Sequence, residues 1–380
     1  MSDRQQTTIF SVMTALAEQT GAINLGQGFP DEDGPAAVID AAVAAMRAGH
    51  NQYAALAGVA SLREAIAEHQ RRRYGIELDP QTQIQVTFGA TEALAATLIA
   101  LVETGDEVAM LDPSYDAYGA VVTLAGGSAR PIVLEPPHWR VTAEAIAAAI
   151  GPRSRALLLN SPHNPTGRVL DRDELELLAA ACREHDLIAI TDEVYEHLVF
   201  DGEHVPLATL HGMAERTLTI SSLGKTHSLT GWKVGWASGP AELVAAVRGV
   251  KQYLSFSGGT PLQHAAATAL SMTAEIEHLS ATLAGKRNRL SAGLREAGFD
   301  VLDSAGTYFL SADARALGEP DAAALCMRLP REAGVVAIPI GAFCADPGPQ
   351  ARGLLRFAFC KREDVLDDAI ERLGRWAAGR

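Results

Sequence analysis

Positive charge is what this sequence of 380 residues is shortest of: 32 lysines and arginines stand against 46 acidic residues, a formal net charge of -14. Nucleic acids and anionic membrane surfaces are bound through a basic face, so neither is an expected partner. Cysteine is scarce too. The four cysteines, Cys182, Cys326, Cys344 and Cys360, are widely scattered, which excludes a disulfide framework and the close pairing typical of metal ligands. The longest apolar run, from Ala93 to Val102, is too short to cross a bilayer. Residues Met1 to Thr8 are polar and lack the apolar centre of a signal peptide, so a soluble cytoplasmic protein is expected. Where a strand runs into a glycine turn at Phe88-Gly89-Ala90-Thr91-Glu92, neither a GxGxxG fingerprint nor a P-loop is found. A dinucleotide or a nucleoside triphosphate is therefore not the expected ligand there.

What is present is a globular composition in a chain long enough for two domains. Short apolar strands are predicted at 84–88, 107–111, 130–134, 156–160, 188–191 and 218–221. Helices at 91–102, 115–125, 142–150 and 171–185 separate them, the last opened by a capping pair, Asp171 with Glu174. That rhythm predicts an α/β fold with a mostly parallel sheet covered on both faces, and such sheets bind ligands at the carboxyl ends of their strands. Ahead of it the sequence predicts a helix at 8–20, a short strand at 22–25, and helices at 35–47 and 61–74, the first of these two opened by Pro35. After Pro240 helix dominates to about residue 297. Shorter strands at 299–302, 308–311, 334–338 and 354–357 then alternate with helices, a change of rhythm that marks a second domain.

The strand-end loops carry the chemistry. Gly89, Ala90 and Thr91 open a helix whose backbone N–H groups and dipole make a phosphate seat, or else form an ordinary capped glycine turn. In Asp112-Pro113-Ser114-Tyr115-Asp116-Ala117-Tyr118, the two tyrosines either face a ligand, Tyr115 flat on an aromatic ring and Tyr118 along the pocket, or pack in the core. The segment from Asn160 to Gly167 has two X-Pro steps that stiffen it and can hold the Asn164 amide in one orientation; Asn-Pro is also a common turn former. Asp192 ends a very apolar strand, with Tyr195 three residues on. A carboxylate there is costly unless a cation answers it, which a ligand atom would do; a capping aspartate is the plainer alternative. Lys225 lies in the glycine-bounded stretch Ser221-Ser222-Leu223-Gly224-Lys225-Thr226-His227-Ser228-Leu229-Thr230-Gly231-Trp232-Lys233. A lysine amine in an apolar setting beside a second cation, Lys233, is pushed toward its neutral, nucleophilic form.

Taken together these motifs resemble those of the class I/II aminotransferases of fold type I, which use pyridoxal phosphate. The match runs in order along the chain: Asn24-Leu25-Gly26-Gln27-Gly28-Phe29-Pro30, Gly89-Ala90-Thr91-Glu92, Ser161 to Gly167, Asp192-Glu193-Val194-Tyr195, Ser222 to Lys225, and Leu355-Arg356-Phe357. Within the family the sequence is similar to the kynurenine, glutamine and methionine aminotransferases. Ser257-Gly258-Gly259-Thr260 and Ala358-Phe359-Cys360-Lys361 are similar to N-succinyldiaminopimelate aminotransferases. The resemblance implies a mostly parallel seven-stranded central sheet in a large domain, residues 35–275. It also implies a smaller α+β domain built from residues 1–34 and 276–380.

It implies a role for each matching residue as well. Lys225 would hold pyridoxal 5'-phosphate covalently and act as acid and base. Asp192 would keep the ring nitrogen protonated, Tyr195 and Asn164 would hydrogen-bond the ring hydroxyl, and Tyr115 would stack on the ring. Gly89, Ala90, Thr91, Ser222 and Lys233 would meet the phosphate. Tyr53 would reach the phosphate of a second protomer, making the active unit a homodimer. Arg356 would clamp the substrate α-carboxylate with Gly26 and Asn164, while Tyr118 would line the substrate side.

The implied reaction is a ping-pong transfer of the amino group of an L-amino acid to a 2-oxo acid, 2-oxoglutarate by family habit. Candidate donors are N-succinyl-LL-diaminopimelate, methionine, glutamine and aromatic amino acids. A C–S β-lyase on the same scaffold is the alternative. A regulator carrying a DNA-binding module is not expected, because only about twenty residues precede the Gly26 loop. No metal is expected. The one departure is His227, where the subgroup commonly has an aromatic residue; it either packs with a hydrogen bond or adds a titrating group near the cofactor.

Overall fold

A computed structural model describes residues 8–380, so the polar opening read at Met1–Thr8 lies, Thr8 apart, outside the described residues. Its centre is a seven-stranded sheet in the order Ile84–Phe88, Val234–Ser238, Thr217–Ser222, Ile188–Asp192, Ser154–Asn160, Glu107–Asp112, Ser128–Val133. The last five strands pair in parallel, and Val234–Ser238 runs antiparallel to both its neighbours. The six strands read from the βα rhythm are all there. The antiparallel seventh is the one that rhythm could not reveal, because only the four-residue helix Leu223–Thr226 and a single tight turn at Thr230–Trp232 separate it from the strand before.

Both faces of the sheet are buried, and strand alternation divides the side chains between them. Leu158 and Ile190 pack with Leu94, Leu98, Val244 and Val247 from the helices Gly89–Leu101 and Ala241–Leu254. Leu157, Leu159 and Ala189 face the other way onto Ile146, Leu175 and Leu178 of Ala143–Ala149 and Arg172–Glu184. That last helix begins with the expected reciprocal cap. Asp171 accepts from the Glu174 backbone while the Glu174 side chain accepts from that of Asp171, which satisfies two otherwise orphaned donors.

A second core gathers around an antiparallel four-stranded sheet, Ile338–Pro339, Leu354–Ala358, Phe309–Asp313 and Asp300–Val301. The single strand predicted at 334–338 is split. Val335–Val336 pairs in parallel with Ile23–Asn24, and only Ile338–Pro339 joins the larger sheet. This pairing brings the N-terminal segment, with the helix Ile9–Thr20, against the C-terminal part of the chain. The helical stretch after Pro240 is three helices, Ala241–Leu254, Thr260–Ala269 and Thr273–Glu296. Among the described residues no helix is long and apolar enough to cross a membrane.

Candidate active site

Three adjacent parallel strands end in Asn160, Asp192 and Ser222, and Asn160 is paired with Asp192 in register. In an α/β sheet this carboxyl edge is where a ligand finds backbone ends and helix N-termini together. A cavity of about 230 Å³ opens there. Lining it are Asp192, Lys225, Tyr195, Asn164 and Tyr115, with Gly89, Ala90, Thr91, Ser222 and Lys233 also in its wall.

Asp192 is held firmly. The Tyr118 hydroxyl donates to its Oδ2 at 2.7 Å, the Val194 N–H reaches Oδ1 at 3.3 Å, and the Asn160 amide donates to its carbonyl at 2.7 Å. Burial is the largest influence on the carboxyl and pushes it above its ordinary range. The Tyr118 hydrogen bond, the Val194 N–H and the Lys225 charge pull the other way without prevailing. Among the described residues this buried acid has no ion-pair partner to offset the burial.

Lys225 sits in the short helix Leu223–Thr226, set by a backbone that folds back so that Gly224 lies against Thr230; a Cβ on Gly224 would come within 2.9 Å of the Thr230 Cα. Its amine is 5.8 Å from the ring centres of both Tyr195 and Tyr308. Burial pushes it below the ordinary lysine value, and Lys233 lowers it further, against the opposing pull of Cys360 and Asp192. The neighbouring cation proposed from the sequence thus contributes, but desolvation is the larger cause.

The opposite end of the cavity is built for an anion. Gly89 takes a left-handed φ of 77° at the start of a 13-residue helix, and a Cβ there would meet the Lys233 Nζ at 3.3 Å. The strand end beyond is equally tight: a Cβ on Gly235 would come within 2.5 Å of the Gly89 backbone. Lys233 itself has a φ of 54°, an uncommon conformation for a residue with a side chain, here placed at the cavity wall.

Arg356 is buried beside this cavity. It donates to the Asn164 Oδ1 and to the Gly26 carbonyl, both at 2.8 Å, while its Nε has no partner. Its guanidinium lies 3.9 Å from the Phe309 ring centre and 4.6 Å from that of Phe343, with Phe10 at 5.5 Å. Burial lowers its pKa to about 10, so it is charged at neutral pH.

The structure brings most of the residues singled out by sequence to this cavity, with Arg356 and Gly26 joined to it through Asn164, while Tyr53 and His227 stand apart. Tyr53 is 82% exposed, packs edge-on to Phe256 at 5.6 Å, and does not line the cavity of its own chain. Tyr118, expected on the substrate side, does line the cavity, but its hydroxyl is taken by Asp192 and only 3% of it is exposed. His227 is buried, with Nε2 3.2 Å from the Ala269 carbonyl and no place in the cavity wall, which agrees with the packing alternative. The sequence reading missed Asn160, whose Oδ1 accepts from the Asn164 backbone at 2.7 Å while its amide, donating to the Asp192 carbonyl, couples two strand ends. It missed Tyr308 as well. The register of Asn160 beside Asp192 was available from the strand positions; the approach of Tyr308, 83 positions beyond Lys225, had no local signal.

A parallel sheet with a buried lysine, a buried acid and an anion seat at one edge is the arrangement of a cofactor-dependent transferase. The family described as "Aminotransferase class I and II" matches residues 20–373, and the chain belongs to this family of pyridoxal-phosphate-dependent enzymes, which transfer amino groups between amino acids and 2-oxo acids. It is 52% identical to the probable N-succinyldiaminopimelate aminotransferase of Mycobacterium tuberculosis over 97% of this chain and 95% of that one. It is 44% identical to the methionine aminotransferase of Escherichia coli, again over 97% and 95%. The solved N-succinyldiaminopimelate aminotransferase from Mycobacterium tuberculosis superposes with a TM-score of 0.95 over 97% of both chains. The cavity's donor set fits pyridoxal phosphate: amides and a lysine at the anion seat, a buried acid without a cation at the other end, and a depressed lysine in the wall.

Proposed function

We propose that this aminotransferase carries pyridoxal phosphate covalently on Lys225 and takes N-succinyl-LL-diaminopimelate as its amino-acid substrate, with 2-oxoglutarate and glutamate as the second pair. The observation that carries the site assignment is the shared cavity of Lys225, Asp192 and the Gly89 helix start. The substrate rests on the 52% identity, over nearly the full length of both chains, to a relative of that name. When bound, the cofactor supplies an electron sink for the pair left behind as a proton leaves the substrate Cα.

The chain's own residues do the rest. Gly89, Ala90, Thr91, Ser222 and Lys233 would hold the phosphate, and Asp192 would face the ring nitrogen, where a proton answers its buried charge. Tyr118 acts through Asp192, fixing the carboxylate rather than touching substrate. Tyr195 and Asn164 would meet the ring hydroxyl, and Tyr115 would cover the ring face. The Lys225 amine, kept below its ordinary pKa by burial, would take the Cα proton at Nζ and pass it to the cofactor's C4′ carbon, acting as base and then as acid. Arg356 would receive the substrate α-carboxylate, held in place by Asn164, the Gly26 carbonyl and its aromatic surround.

Tyr53 belongs to the same proposal. With Phe256 beside it, itself 43% exposed, it forms an apolar surface that a second copy of the chain would cover, placing its hydroxyl at the partner's phosphate seat. The test is the visible spectrum of the cofactor-loaded enzyme as amino acids are added singly. N-succinyl-LL-diaminopimelate should bleach the cofactor band, and 2-oxoglutarate should restore it. Bleaching by methionine or kynurenine but not by the succinylated diamine would reassign the substrate. Pyruvate and ammonia formed from a cysteine conjugate without any oxo acid would favour the β-lyase.

A further inference from the structure

Behind the Lys225 turn, on the side away from the cavity, lies a group of side chains with no part in the chemistry above. His69 comes from the helix Ala60–Tyr74; Glu196 and His197 follow the strand Ile188–Asp192. All three are buried, and one ligand-capable atom from each lies within 4.8 Å of the other two, the one such convergence among the described residues.

The geometry is oriented inward. The two imidazoles meet Nε2 to Nε2 at 2.8 Å, a separation at which they share one proton. The other nitrogen of His197 is 2.8 Å from the Thr226 Oγ1; donating there leaves the Nε2 lone pair turned toward His69. Glu196 is fixed from both sides, Oε1 accepting from Ser221 at 2.7 Å and Oε2 from Tyr74 at 2.8 Å. Its charged neighbours are histidines, and no lysine or arginine among the described residues pairs with it. Its two hydrogen-bond donors are neutral hydroxyls, so the buried charge has no fixed cation beside it, and an ion held between the carboxylate and the imidazoles would supply one. A cavity of about 330 Å³ opens beside His197, with the opposite charges of Arg73 and Glu277 in its wall.

We infer that His69, Glu196 and His197 form a binding site for a divalent transition-metal ion of the zinc class. Two imidazole nitrogens and one carboxylate oxygen suit zinc, cobalt or nickel better than magnesium or calcium, which prefer shells made wholly of oxygen. Tetrahedral bonds of about 2.0 Å set two nitrogens about 3.3 Å apart, so the 2.8 Å pair opens by about 0.5 Å to admit the ion, and water completes the shell. Because Thr226 follows Lys225 directly, a bound ion would tie the back of the lysine turn to the Ala60–Tyr74 helix. It is a clamp, not a reactant.

Cobalt(II) is the probe. Cofactor-loaded enzyme dialysed against it and then freed of loose metal should retain about one ion per chain, with tetrahedral d–d absorption that zinc abolishes. His69→Gln and His197→Gln should each lose that uptake while keeping the cofactor's absorbance. X-ray absorption at the cobalt edge of the wild-type protein needs no variant and should show imidazole scattering. Absence of retained cobalt, wild-type uptake in either variant, or a shell of oxygen alone would each overturn the site.

Discussion

Asp192 and Glu196 are four residues apart and both buried, yet their surroundings treat them in opposite ways. Burial pushes the Asp192 carboxyl up, and the groups its own chain supplies do not bring it back. Burial acts on Glu196 too, but there it is outweighed by His197, His69 and His204 and by the Ser221 hydroxyl, which hold the carboxyl at about 2. Asp192 lines an open cavity beside a depressed lysine; Glu196 has both oxygens filled by protein. Depth alone therefore does not mark a functional acid. What sets Asp192 apart is an open cavity on its free side with a depressed lysine in the same wall.

The comparison breaks most visibly at Lys225. Lys225→Ala should lower kcat by about 1,000-fold or more while still binding pyridoxal phosphate noncovalently, as read by turnover and by cofactor absorbance. Asp192→Asn comes next, with a loss of about 100-fold or more in kcat. It should also make the cofactor-free protein more stable, raising Tm by about 1–3 °C at neutral pH, because the folded state no longer ionises a buried acid. The sign follows from the direction of the shift. A folded-state pKa above the unfolded one costs stability as pH rises through that window, so the stabilisation by Asn should fade as pH falls toward the ordinary aspartate range. Thermal melts of cofactor-free protein across pH measure it; a variant less stable than wild type at neutral pH would contradict the account.

Arg356→Ala should raise KM for every carboxylate substrate by about 10- to 100-fold with a smaller change in kcat. An unchanged KM would remove Arg356 from substrate binding. The finest contrast sets Tyr118→Phe against Ser221→Ala, since each deletes one hydroxyl donor to one of the two carboxylates. Tyr118→Phe should lower kcat by about 3- to 10-fold. Ser221→Ala should cost about 1–2 kcal/mol of stability and leave kcat within about twofold. Steady-state kinetics and denaturant melts on the same two preparations separate these outcomes.

Much of this was legible in the sequence because it is local. The apolar strands expected to end at Asn160, Thr191 and Ser221, and the Asp171–Glu174 cap, are written in contiguous residues, and the structure ends those strands at Asn160, Asp192 and Ser222. The strand Val234–Ser238 was not, since it enters the sheet antiparallel and after only a four-residue helix and a tight turn. The direction of the Tyr118 hydroxyl depends on a helix start packing over the sheet edge, and tyrosine in a core or a pocket looks the same in one dimension. The group behind Lys225 was invisible for a stronger reason: residues 69, 74, 196, 197, 221 and 226 share no spacing and meet only after the sheet and the Ala60–Tyr74 helix are docked. Arg356 stood out by resemblance alone, and the structure adds what the resemblance could not, three phenyl rings around its charge.

The most direct test is chemical labelling. Enzyme loaded with pyridoxal phosphate, reduced with borohydride, digested and mapped by mass spectrometry should carry a phosphopyridoxyl group on Lys225. A label on Lys233 instead, or no labelled lysine in a protein that still turns over, would contradict the placement of the cofactor between Lys225 and Asp192.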